Sequence, residues 1–180
     1  MNNKKILIVL SLVILTVTVS ALGQTISAKR AVEDARYLRE TLESIHPNLY
    51  FARNRMDSDE QFREILTEIK TRKTWSKKEL FRQLAPYVAS FEDGHTFLSI
   101  MENFREYAFR GGKIFPLSIK IEEGKITVTA NHADSGPSPG AVIKSINGVP
   151  AEKLYARMAG VIGAKRQAYL ESTLSSGFPV

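Results

Sequence analysis

The apolar residues change rhythm once, near Phe91, and that change limits the fold to a helical part followed by an extended part. Before it, three stretches carry apolar residues at spacings of three and four. From Ala31 to Ile45 these are Val32, Ala35, Leu38, Leu42 and Ile45, which share one helix face. Pro47 holds His46 away from helical angles, so this helix should end there. Ser58-Asp59-Glu60-Gln61 has the pattern of a capping box and predicts a helix start, with Phe62, Ile65, Leu66 and Ile69 on one side. Ser76-Lys77-Lys78-Glu79 is a second such box, opening a helix that carries Leu80, Leu84, Tyr87, Val88 and Phe91. Pro86 falls inside that pattern and should kink it. All three stripes read as core faces.

After Phe91 the signals are turns and extended runs. "DGHTFLSIM" reads as a turn and then a short strand. Arg110-Gly111-Gly112-Lys113 is a loop without the spacer and the Ser or Thr of a phosphate loop, which argues against nucleotide binding. "FPLSIKI" and "ITVTA" flank a Gly-containing turn and predict a hairpin. "NHADSGPSPG" is a breaker-rich loop. "AVIKSINGVPA" predicts a second strand pair, with Asn147-Gly148 suited to the positive φ angles of a tight turn. "AEKLYARMAGVIG" predicts a helix ended by Gly163, and residues 164–175 predict a weaker one. The fold class expected is therefore α+β, an N-terminal helical bundle followed by a small β-rich unit.

The first 23 residues stand apart from this pattern. Lys4 and Lys5 precede an apolar run over residues 6–19, and Val19-Ser20-Ala21 or Ala21-Leu22-Gly23 offers a cleavage site. This is the pattern of a signal peptide over residues 1–23 and implies export, periplasmic or extracellular. The alternative is an uncleaved membrane anchor, for which the run falls short of the roughly 20 apolar residues a span needs. Cysteine is absent, which excludes lipoprotein processing and any disulfide framework. The exported domain must then stand on its core, and 43% hydrophobic with 24% charged residues suits that. The net charge of +6 is spread among acids with no block of five like charges. It reads as a solvated surface, and no nucleic-acid partner is expected.

Three histidines are the candidates for chemistry. His95 sits where the helical pattern gives way to the extended one. Histidine is the residue type most often used as a general base, and an element end can face a cleft, so the position suits that role. A lone histidine after a helix is more often structural, and the residues alone leave both readings open. Asp93 is a tempting partner but reads better as a turn or helix-end aspartate. Gly94 should serve the backbone turn, and Thr96 is a strand residue or a hydrogen-bonding neighbour. His46 reads as a helix-end histidine packed under the Asn48-Leu49-Tyr50 turn, and His132 as an exposed loop residue. No metal-ligand spacing occurs, so no metal and no cofactor is expected. The carboxylates form no pair that picks out a glycosidase site.

Taken in order, "YLRETLESIHPNLY", "LAPYVASFEDGHTFL", "FPLSIKIEEGKITV" and "SPGAVIKSINGVPAEKL" resemble the N-terminal part of the tricorn-like branch of the C-terminal-processing serine peptidases. The resemblance runs from about Ala31 to Gly163. It implies a helical N-terminal region over residues 30–110, a PDZ-like domain over 111–163, and a linker or helix over 164–180 leading toward an α/β catalytic domain. It also implies that Gly94-His95-Thr96 is the family's Gly-His-Thr motif, with His95 as the general base and a polypeptide as the substrate. A PDZ-like unit would read peptide as an added strand at a sheet edge. The family's serine nucleophile and supporting glutamate belong to the later domain, and Ser175 and Ser176 sit in no nucleophile motif. The chain alone is therefore expected to be an inactive N-terminal fragment of an exported serine-type peptidase, since acyl transfer needs an activated nucleophile and an oxyanion site. The competing expectation is a non-catalytic, PDZ-like peptide-binding module.

Overall fold

The computed structural model describes residues 25–177. The expected signal segment lies outside the described residues, as do the last three positions. Helix α1, Ala28–Ile45, is capped by Ser27, whose hydroxyl accepts from the Arg30 N–H at 3.2 Å. It ends at His46, where φ −79° and ψ 123° are the extended angles that Pro47 imposes.

Helix α2, Arg55–Lys70, starts one turn earlier than the Ser58 box predicts. Asn54 is the cap instead, its side-chain oxygen accepting from the Met56 N–H at 2.7 Å. Ser58 lies inside the helix and is fully buried, with its hydroxyl 3.1 Å from that of Tyr87. The sequence pattern was ambiguous because a buried serine and a capping serine look alike until the partner across the core is known. Helix α3, Lys77–Ala89, does open in a complete capping box. Ser76 Oγ accepts from the Glu79 N–H, and Glu79 Oε2 accepts from the Ser76 N–H at 2.9 Å. Pro86 lies within it, and the Pro86 carbonyl accepts from the Ser90 N–H at 3.0 Å.

These three helices enclose one core, in which Phe62, Ile65, Ile69, Trp75, Leu84, Tyr87 and Phe91 are buried. Tyr87 stacks edge-on to Phe91 at 5.2 Å and tilted to Phe62 at 5.3 Å, geometries that the ring quadrupoles favour. The Trp75 indole N–H donates to the Ile69 carbonyl at 2.9 Å, so its burial leaves no polar group unmet. Two strands unforeseen in the sequence, β1 (Thr25–Ser27) and β2 (Thr74–Ser76), pair antiparallel with Ile26 opposite Trp75. At three residues each they are too short to show a period.

The strand expected after His95 does not form. Residues 96–100 pair with no strand, and Leu98 packs on the helical core instead. Helix α4, Met101–Phe109, follows; it buries none of its residues, so it left no apolar stripe to read. The two predicted hairpins do form. β3 (Leu117–Glu122) pairs with β4 (Lys125–Asn131) through Glu123 at φ 50° and Gly124 at φ 73°. β5 (Ser145–Ile146) pairs with β6 (Val149–Pro150) through Asn147 at φ 52° and Gly148 at φ 78°. Two successive residues at positive φ give a turn whose twist matches the flanking strands.

Leu117, Ile119 and Ile121 of β3 point the same way as Ile126 and Val128 of β4, and all five are buried. The free side of β4 is met by residues 140–143, where the Val128 N–H donates to the Ala141 carbonyl and the Ile143 N–H to the Ile126 carbonyl, each at 2.9 Å. Helix α5, Ala151–Ala159, is closed by Gly160 and not by Gly163 as expected. Helix α6, Gln167–Gly177, lies along β3 and closes this second core with Leu174. Its Ser175 hydroxyl accepts from the Ile121 N–H at 2.9 Å, and its Glu171 carboxylate accepts from the Gly124 N–H at 2.9 Å. The described residues thus form an α+β fold with three two-stranded antiparallel sheets. No helix among them is long and apolar enough to cross a membrane.

Candidate functional site

The turn that follows α3 is built around Asp93. Glu92, at φ 54°, reverses the chain out of the helix. The Asp93 carbonyl accepts from the Thr96 N–H at 3.1 Å, closing residues 93–96. Asp93 Oδ1 accepts from the His95 N–H at 3.1 Å, and Oδ2 accepts from the Thr96 hydroxyl at 2.7 Å. This is the side-chain-to-backbone turn that aspartate favours.

A third donor comes from outside the turn. His46, at the end of α1, places Nε2 2.9 Å from Asp93 Oδ2. The Asn48 N–H donates to His46 Nδ1 at 3.1 Å, so Nδ1 is the acceptor and the proton must sit on Nε2. The Thr96 hydroxyl, the His46 ring and the His95 N–H together hold the Asp93 carboxyl well below the usual range, down to about 2. The expected packing of His46 at the Asn48 turn is present. Its pairing with Asp93 could not be read from the sequence, because 47 residues separate them and no spacing signals it.

The consequence for the three histidines is a clear division. Both ring nitrogens of His46 are engaged in hydrogen bonds, to Asp93 and to the Asn48 N–H. His132 is exposed and bonds Ser118 Oγ through Nε2 at 2.7 Å, away from the turn. The His95 imidazole makes no hydrogen bond among the described residues and is exposed. It faces an open cleft of about 740 Å³ whose lining also includes His46, Asp93, Thr96 and Lys165. The walls are apolar, with Ile45 72%, Phe51 80% and Phe97 65% exposed. Asp93 does not reach the His95 ring as a catalytic orienter would; it binds that residue's backbone, in line with its reading as a turn aspartate.

Gly94 is not where the turn needs positive φ; Glu92 takes that role. Its missing side chain makes room for Tyr169 of α6, whose ring atoms would lie 2.8 Å from a Cβ there. The Tyr169 hydroxyl also donates to the Gly94 carbonyl at 3.0 Å. Gly163 is placed in the same way, since a Cβ on it would lie 2.9 Å from the Asp93 carbonyl oxygen. The histidine turn is thus held from one side by α1 and from the other by the segment around α6.

No serine hydroxyl among the described residues bonds the His95 ring. Ser175 is committed elsewhere, donating to the Glu171 carbonyl at 2.7 Å while accepting from β3. Among the described residues no group of three or more His, Asp or Glu side chains could hold a metal ion. The arrangement offers one free imidazole, fixed at its backbone, beside apolar walls and the ammonium of Lys165. That combination can accept or deliver a proton next to a bound group but supplies no nucleophile of its own.

No family model matches the sequence, and no curated protein matches it. Among solved structures, mature CPAF, a C-terminal-processing protease, matches with a TM-score of 0.54 over 82% of this chain at 15% sequence identity. The chain spans 28% of the length of that protein. At that identity the likeness carries the fold, and mature CPAF is what this fold is similar to.

Proposed function

We propose that this chain is the histidine-bearing portion of an exported serine-type peptidase of the tricorn-like kind, with His95 as the general base and a polypeptide as substrate. The observation that carries this reading is the His95 imidazole, which lines a cleft and, alone among the three histidines, has neither ring nitrogen hydrogen-bonded among the described residues. The shared fold with mature CPAF, a protease, supports it. In this reading the nucleophile and oxyanion donors come from residues beyond these 180, and residues 111–163 are a PDZ-like unit that engages the substrate chain. The apolar run over residues 6–19 directs export.

The test joins the chain to a catalytic domain of a related peptidase and compares it with its His95→Ala variant. Loss of a general base should lower kcat by at least about a hundredfold. Equal peptidase activity in the two proteins would remove His95 from the mechanism.

A second reading has one observation in its favour: no described serine bonds His95. It makes the chain a non-catalytic peptide-binding module. Titration with a peptide library, taken with the His95→Ala comparison, separates the two readings. Saturable binding by the chain alone, at peptide concentrations below about a millimolar (~4 kcal/mol), favours the module when the joined protein and its His95→Ala variant are equally active.

A further inference from the structure

We propose that His46 is a positioning residue for His95, acting through Asp93. The inference rests on the reading of His95 as the working base, and it names the part of the molecule that holds that base in place.

The chain of contacts has a single direction. The Asn48 N–H donates to His46 Nδ1, which fixes the ring's tautomer and its rotation about the end of α1. The Nε2–H then points at Asp93 Oδ2. The same oxygen takes the Thr96 hydroxyl, so Oδ1 is left turned toward the His95 N–H. Without His46, Asp93 would keep only donors from its own turn, and nothing in α1 would set the direction in which the turn presents His95. His46 and Asp93 have 16% and 30% of their side chains exposed, so the bond between them is partly shielded from competing water. A hydrogen bond to a charged acceptor in such a place is among the stronger ones.

This is a different job from filling space. A helix-end residue packed under a turn needs bulk, whereas this one needs an N–H at the Nε2 position. Glutamine can place an amide N–H near that position, and phenylalanine keeps the ring without any donor.

The test uses the 180-residue chain and needs no peptidase activity, so it can fail while the peptidase reading stands, and the reverse. In wild-type protein labelled with nitrogen-15, long-range proton–nitrogen spectra should show His46 as the Nε2–H tautomer. Finding the proton on Nδ1 would overturn the proposal without any variant. Amide exchange at His95 and Thr96 should rise about tenfold in His46→Phe and return to within about threefold of wild type in His46→Gln. Exchange at Ile69 and Val88, in the helical core, should stay at wild-type rates in both. Unchanged exchange at His95 in His46→Phe would overturn the proposal, and so would His46→Gln exchanging as fast as His46→Phe.

Discussion

The helical part and the β-rich part of this chain solve the same problem differently. The helical core mixes aromatic with aliphatic residues, with Trp75 of β2 and Tyr87 of α3 fully buried and their polar atoms met within the same unit. The β-rich core is smaller and wholly aliphatic among its buried members, and a helix from the end of the described chain completes it through Leu174. The first core is made of neighbours in sequence. The second waits for α6, and α6 is also the element that reaches the histidine turn through Tyr169. Stability in the first region and order at the site are therefore separable quantities.

The sharpest way to break this comparison is to empty each core in turn. Tyr87→Ala should cost about 3–5 kcal/mol, since it removes the ring between Phe62 and Phe91 and strands the buried Ser58 hydroxyl. Urea denaturation should show the helical signal lost at much lower denaturant. Leu174→Ala should cost about 2–3 kcal/mol and act locally. Its mark would be faster amide exchange at Ile119 and Ile126 with little change at Ile69. Uniform acceleration in both regions would show that the two cores melt as one.

Gly163→Ala is a smaller perturbation aimed at the junction. Its new methyl group meets the Asp93 backbone, which cannot move aside like a flexible side chain, and overpacking of this kind costs about 1–3 kcal/mol. The thermal midpoint should fall, and His95 and Thr96 resonances should shift more than those of either core.

The smallest effect concerns pH. Asp93 is held down to about 2 in the folded chain, against about 3.9 for a free aspartate. A depressed carboxyl contributes stability that is present above the unfolded value and is lost as pH falls through the folded one. Wild type should thus lose stability between about pH 4 and pH 2 more steeply than Asp93→Asn, in which that carboxyl cannot titrate. Parallel acid-denaturation curves for the two proteins would mean the bonds at Asp93 add nothing to the fold.

Much of the architecture was legible because it rests on local rules. Pro47 ended α1, the Ser76 box opened α3, and Glu123-Gly124 and Asn147-Gly148 turned the two hairpins. The errors have a common origin in contacts between distant residues. Ser58 looked like a cap because its partner Tyr87 lies across the core. Gly163 looked like a helix end, and Gly94 like a turn glycine, because the backbone and ring that crowd them come from elsewhere in the chain. The short β1 and β2, and α4 with no buried residue, left no period to read. At the site, the place of His95 between two patterns left its role open, and only the resemblance made it a candidate base. The bond that ties Asp93 to His46 could not, because nothing local requires it.

The contact between Tyr169 and Gly94 joins residues 75 apart in sequence. On a ribosome that emits the chain from its N-terminus, the helical core has all its members in hand long before α6 appears. The turn bearing His95 then stays open on one side through the synthesis of the whole β-rich part. It is closed only when Tyr169 arrives. Among the described elements the histidine turn is completed last, and any arrest of translation before α6 would release a protein with its helical core complete and its histidine turn unfinished.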